Sequence, residues 1–271
     1  GGNITDKNPG VEEYDYQSLG IMYLKEKETL KYGTNFNYSL GILQSKFDFD
    51  QGSKEDITSL KAGIGYEQYL KQGSRFKYMT RGELGVNYHD MERKIYLSNG
   101  TYKNNGDYFS GTAEWKNRLN YELPIISKNF KMDIFGSLNT GYGKFQGFKE
   151  DGDGMYLDVK SEDYFSLRPG AGVEGEWSYT TVKGSKFMLT AGAAYEYETQ
   201  DIYGDGNEVK IANTDAGYYR LEEPEKIDNI FKANVGVGYE TSGGFKTGVR
   251  VEREEGSVKG TKYQLDFSWK F

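Results

Sequence analysis

Apolar and polar residues alternate strictly at the end of the chain, where Tyr263, Leu265, Phe267, Trp269 and Phe271 are separated by Gln264, Asp266, Ser268 and Lys270. Successive side chains of a strand point to opposite faces, so this stretch predicts a strand with one aromatic face and one wet face. The same period recurs upstream. Phe245, Thr247, Val249 and Val251 oppose Lys246, Arg250 and Glu252, while Phe231, Ala233, Val235, Val237 and Tyr239 oppose Lys232, Asn234, Gly236, Gly238 and Glu240. Phe187, Leu189, Ala191, Ala193, Tyr195 and Tyr197 alternate with Met188, Thr190, Gly192, Ala194, Glu196 and Glu198. Phe165, Leu167, Ala171, Val173, Trp177 and Tyr179 face away from Arg168, Glu174 and Glu176. Segments 130–142, 107–121, 76–89, 57–70 and 32–43 repeat the theme less cleanly, and 15–25 is strand-like without assignable faces. The lengths suit a tilted membrane-spanning strand, which needs roughly 9 to 11 residues.

Short turns are expected at 71–74, 181–185 and 241–244, and long polar loops near 44–56, 91–106, 147–162 and 200–228, so every second connection is long apart from a short one at 256–259. Outer-membrane barrels have this asymmetry, with short periplasmic turns and long external loops. Eleven strands are countable. Because single-chain bacterial barrels normally have an even number, twelve are expected, with the first weak or missing. Residues 1–14 read as an external loop carrying the turn Asn8-Pro9-Gly10. No linker divides the chain, so residues 1–271 are expected to form one all-β domain, a transmembrane antiparallel up-and-down β-barrel.

Composition supports strands: 36 Gly, 24 Tyr and 15 Phe stand against 4 Pro. No run of 18 apolar residues occurs, which excludes a transmembrane helix but not a barrel, since half of each spanning strand can be polar. The absence of Cys removes disulfides and thiolate metal sites. A net charge of -7 argues against a nucleic-acid partner, which needs a basic stripe. Gly1–Gly10 lacks the basic-then-apolar pattern of a signal peptide, so the chain is expected to be a mature fragment or a domain cut from a longer one.

The ending Tyr263-x-Leu265-x-Phe267-x-Trp269-x-Phe271, with strand-like segments such as Tyr16–Lys25 and Ala62–Leu70, resembles the C-terminal translocator barrel of a type Va autotransporter, in a Gly/Tyr-rich style similar to fusobacterial examples. The resemblance implies an outer-membrane barrel, surrounded by lipid, that anchors and helps export a passenger to the cell surface by type V secretion. It also implies that the barrel-assembly machinery reads those five terminal residues, and that the protein's own linker helix threads the lumen. No helical stretch lies within residues 1–15 to supply that helix. A monomer without cofactor is expected.

The alternation assigns to the lumen Arg81, Glu83, Glu114, Lys116, Arg118, Arg168, Glu174, Glu176, Glu196, Glu198, Lys232, Glu240, Arg250, Glu252 and Glu254. These charges could simply keep the interior wet and rigid, or form a hydrated conduit that grips a passenger segment; either requires pairing or water. The sole histidine, His89, precedes Asp90 at an expected strand-to-loop junction, and an esterase would need it paired with a serine and oriented by a third group. No serine context singles itself out, so His89 reads as a polar residue near the rim and no catalytic site is assigned. Asp151-Gly-Asp153-Gly and Asp205 look like fragments of calcium loops, yet turn chemistry explains them better and no metal is expected. Trp115, Trp177 and Trp269 fit interfacial belts better than sugar binding. The rival readings are a stand-alone porin, an outer-membrane hydrolase and a soluble adhesin sandwich.

Overall fold

The computed structural model describes residues 1–5, 13–29, 33–124, 127–200, 207–215, 217–221, 228–256 and 259–269. Its strands are β1 (Gly2–Thr5), β2 (Tyr14–Thr29), β3 (Thr34–Phe49), β4 (Lys54–Tyr69), β5 (Phe76–Leu97), β6 (Gly100–Glu122) and β7 (Phe130–Phe145). They continue as β8 (Phe148–Lys149), β9 (Asp151–Gly152), β10 (Leu157–Val159), β11 (Glu162–Thr180), β12 (Lys186–Tyr197), β13 (Glu208–Ile211) and β14 (Tyr219–Arg220). The chain closes with β15 (Asn229–Glu240), β16 (Phe245–Gly256) and β17 (Lys259–Trp269). No helix occurs among the described residues.

Twelve of these strands, β1 to β7, β11, β12, β15, β16 and β17, form one antiparallel wall in which sequence neighbours pair and β1 joins β17 to close the ring. Closure satisfies the backbone in a solvent that offers no hydrogen bonds. The outer face is apolar where it meets that solvent: Leu40, Leu60, Leu84, Val86, Leu138, Leu189, Val235, Val237, Val249 and Leu265 are all exposed. Aromatic pairs such as Phe76 with Tyr121 and Phe187 with Tyr239, each with ring centroids 4.8 Å apart, lie on the same outer face near one end. Trp115, Trp177 and Trp269 also point outward.

At that end the strands turn tightly. Lys71–Ser74, Thr181–Ser185 and Thr241–Gly244 each close with a glycine at φ near +80, namely Gly73, Gly184 and Gly244, a conformation that a side chain would strain. The longest connections lie at the opposite end, which corrects several sequence expectations. Stretches 44–56 and 91–106 are not loops: β3 and β4 stay paired to Asp48 and Lys54, and β5 and β6 to Leu97 and Gly100. Polar residues occupy both faces there, as with Asp48, Asp56, Asp90 and Asp107 pointing outward, so the hydropathy signal vanishes although the hydrogen-bond ladder continues. A strand of 22 residues such as β5 is about twice what a bilayer requires, so its upper half projects beyond the apolar belt. The stretches at 147–162 and 200–228 do hold long connections, but within them β8, β10, β13 and β14 form a small second sheet, and β9 adds to the edge of β6.

Residues 1–14 are likewise not simply an external loop. Gly2–Thr5 is the first wall strand, pairing with Tyr14–Tyr16 on one side and Lys259–Lys262 on the other. Residues 6–12, including the Asn8-Pro9-Gly10 turn, fall outside the described residues, as do Asp205, Lys270 and Phe271. Sequence pattern could not reveal β1, because four residues are too short to show a period.

Candidate functional site: the lumen and its seam

The register decides what faces inward. One row runs Leu24, Ser39, Gly63, Glu83, Glu114, Gly141 and Ser166 across six pairings, and the next toward the tight turns runs Asn37, Gly65, Arg81, Lys116, Asn139 and Arg168. By register the charged strand residues that alternation assigned to the lumen share the face of these two rows, while Glu198 follows the last residue of β12. Several of them meet in ion pairs, some along one strand and some between strands. Lys61, on β4, reaches Glu83 at 3.2 Å, and Arg81 lies 3.6 Å from the same carboxylate. Glu114 holds Lys116 at 2.7 Å, and Glu176 holds Lys186 at 3.2 Å. Glu240 pairs with Lys246 at 3.3 Å near the tight turns.

Two clusters are denser. Arg118 binds Glu174 at 2.6 Å and Asn120 at 2.5 Å, with its guanidinium 3.7 Å from the centre of the Phe135 ring. Glu196, only 9% exposed, gathers Lys232 at 3.0 Å, Asn139 at 3.1 Å and Arg168 at 3.8 Å. Glu198 is almost wholly enclosed: it accepts from the Ser166 hydroxyl and, at 3.0 and 3.1 Å, from the backbone N–H groups of Leu167 and Gln200. Arg250 and Glu252 face Gln264 and Lys262 across the β16–β17 ladder, and Glu254 faces Lys232. Such pairing is what charges in a confined interior require, because an unpartnered one is costly.

A cavity of about 390 Å³ lies among these groups, bordered by Arg81, Lys116, Arg118, Glu196, Lys232 and Glu252. A second, of about 540 Å³, reaches from Lys61, Arg81 and Glu83 to Leu19, Ile21 and Leu265. That second space marks a seam. Gly1 exchanges backbone hydrogen bonds with Tyr263, N to O at 3.0 Å and O to N at 2.7 Å, beside the β1–β17 ladder that closes the ring. Tyr263, Leu265, Phe267 and Trp269 therefore stand on the strand that carries the closure, with side chains directed outward and 58–66% exposed.

Sequence reasoning missed several inward groups. Lys61 sits in a segment whose alternation is imperfect. Tyr14, Tyr16, Phe47 and Phe49 cluster inside the wall near the long connections, Tyr14 lying 5.5 Å from both phenylalanine rings; Tyr16 belongs to the segment 15–25 without assignable faces, and the other three to stretches expected as loops. The register resolves it: Tyr16 shares a row with Gly2 and Phe47, while Leu19, Ile21 and Tyr23 point out. His89 is not at a strand-to-loop junction but mid-strand in β5, buried on the inward face. Asp151–Gly152 is a strand fragment on β6 rather than a free turn.

Residues 1–252 match the family profile of the autotransporter beta-domain. Among solved structures, the chain resembles the translocator domain of the autotransporter NalP from Neisseria meningitidis, with TM-score 0.71 and 15% identity, covering 100% of this chain and 85% of that one. It also resembles the beta domain of the Bordetella autotransporter BrkA, with TM-score 0.66, 11% identity and coverage of 100% and 96%. The transport unit of AIDA-I from Escherichia coli gives a TM-score of 0.56 at 11% identity, with coverage of 100% and 88%. At these identities the likeness concerns the fold. No curated protein matches the chain by sequence.

Proposed function

The chain belongs to the autotransporter beta-domain family, and from that premise we propose that its ion-paired lumen is the hydrated path along which a passenger segment is held during export. It is an outer-membrane translocator barrel serving passenger export in type V secretion. The observation that supports the finer reading is the division of the wall into two solvents, with exposed Leu, Val and aromatic side chains outside and paired Arg, Lys and Glu inside. A peptide crossing such an interior keeps its own polar groups hydrated while the apolar belt fixes the depth of the barrel.

In this reading Arg81, Glu83, Glu114, Arg118, Arg168, Glu174, Glu176, Glu196, Glu198, Glu240, Arg250 and Glu252 line the conduit. Alternating charge signs let a linker segment form transient ion pairs at any height without one dominant binding site. Export itself requires no covalent chemistry from the barrel. The outward apolar residues Tyr263, Leu265, Phe267 and Trp269, with Phe271 outside the described residues, form the strand read by the barrel-assembly machinery. Closure within one chain supports a monomer.

The test is a reporter peptide joined ahead of Gly1 and expressed with the barrel in a Gram-negative host. Surface accessibility of the reporter to added protease is the expected result. A reporter that stays protected while the barrel is folded in the outer membrane refutes the conduit.

A further inference from the structure

Three inward side chains on adjacent strands meet away from the charged rows described above. The row Ser18, Ser45, Ile57, His89 and Tyr108 crosses β2 to β6, and Glu55 and Ser110 stand one inward position to either side of it. His89 Nδ1 lies 2.7 Å from Glu55 Oε1, and His89 Nε2 lies 2.8 Å from Ser110 Oγ. The same Glu55 oxygen accepts the Tyr108 hydroxyl at 2.7 Å, so the carboxylate is the acceptor on both sides and Nδ1 carries the imidazole proton. Nε2 is then the acceptor for the Ser110 hydroxyl. The Tyr108 ring stacks on His89 with centroids 4.2 Å apart and planes 9° apart, and Phe148 stacks in turn on Tyr108 at 4.5 Å, which fixes the imidazole plane.

We propose that Ser110, His89 and Glu55 form a nucleophilic relay on the lumen wall that cleaves short carboxylic esters, an activity separate from passenger export. The arrangement supplies what serine acyl transfer requires: a hydroxyl in hydrogen-bond contact with an imidazole nitrogen, and a carboxylate that orients the ring. His89 and Glu55 are nearly enclosed, whereas Ser110 is only half-buried and open to the interior. Asn87 donates its side-chain amide to Ser110 Oγ at 2.9 Å, which holds the serine oxygen beside the imidazole. Phe145, paired directly across from Ser110, offers an apolar contact for a short acyl chain.

In the reaction the Ser110 oxygen bonds to the ester carbonyl carbon while its proton passes to His89 Nε2. The ester C–O bond then breaks, and His89 returns that proton to the departing alkoxide. Water, deprotonated by the same nitrogen, attacks the acyl-serine, releases the carboxylic acid and restores the Ser110 hydroxyl.

The experiment treats the folded barrel in detergent micelles with a fluorophosphonate probe and with 4-nitrophenyl acetate, folding being monitored by heat-dependent gel mobility. A single phosphonate adduct on Ser110 is expected, absent from Ser110→Ala. His89→Gln should lower both adduct formation and ester turnover by at least about 10²-fold. A folded native barrel that gains no adduct at Ser110 overturns the proposal, as does His89→Gln reacting at the native rate. Should Ser110→Ala not fold, the site of the adduct in the native chain and the His89→Gln rate still decide.

Discussion

Replacing Glu196 by Ala removes the anion that Lys232, Arg168 and Asn139 share. The Lys232 contact at 3.0 Å is worth about 1.4 kcal/mol at the dielectric constant of water and about 5.5 kcal/mol at the effective value of roughly 20 found within proteins. The side chains of Lys232 and Arg168 keep 24% and 30% exposure, so water in the lumen screens part of this, and Arg168 retains Glu198 at 3.6 Å. The loss of the Asn139 bond adds about 1 kcal/mol. A destabilisation of about 2–4 kcal/mol follows, compared with the 3–5 kcal/mol typical when one partner of a fully buried pair is removed. Urea unfolding of the barrel refolded in micelles, followed by tryptophan fluorescence, measures it. Glu196→Gln should lose less, because an amide oxygen still accepts from Asn139. The double variant Glu196→Ala/Lys232→Ala should recover part of the loss by removing the stranded cation. If Glu196→Ala unfolds within about 0.5 kcal/mol of the parent, lumen water carries these charges unaided and the network does not hold the wall.

Other consequences are as direct. Val235→Arg places a cation on the lipid face and should cost about 2–4 kcal/mol if it lies at the midplane, lowering the folded fraction in liposomes, whereas Thr190→Arg on the inward face should be tolerated. In the small outer sheet, the Lys160 ammonium bonded to Glu208 holds its carboxyl below the usual range, with Arg220 adding to the effect. A carboxyl depressed on folding stabilises above its unfolded value and loses that contribution as pH falls through the folded one. Hydrogen-exchange protection of β13 should therefore be level at neutral pH and fall below about pH 4, a fall that Glu208→Gln removes. A barrel whose β13 protection is independent of pH refutes that assignment.

The sequence by itself determined the wall and its two faces. A side chain in a spanning strand meets hydrocarbon or water according to parity alone, so Val235 against Asn234, or Leu189 against Thr190, announces the fold without knowledge of any partner strand. The same rule put Arg118, Glu174 and Glu196 on one face before their neighbours were known. Where both faces are wet the rule gives no signal, which is why the upper halves of β5 and β6 read as loops and why His89 looked terminal rather than mid-strand. Four residues of β1 were too few for any period. What only the tertiary structure decided is register, because which residues stand opposite is set by pairing across dozens of positions. It alone brought Lys61 to Glu83, closed the ring through Gly1 and Tyr263, and placed Glu55, His89 and Ser110, which are 34 and 21 residues apart along the chain, within hydrogen-bonding distance.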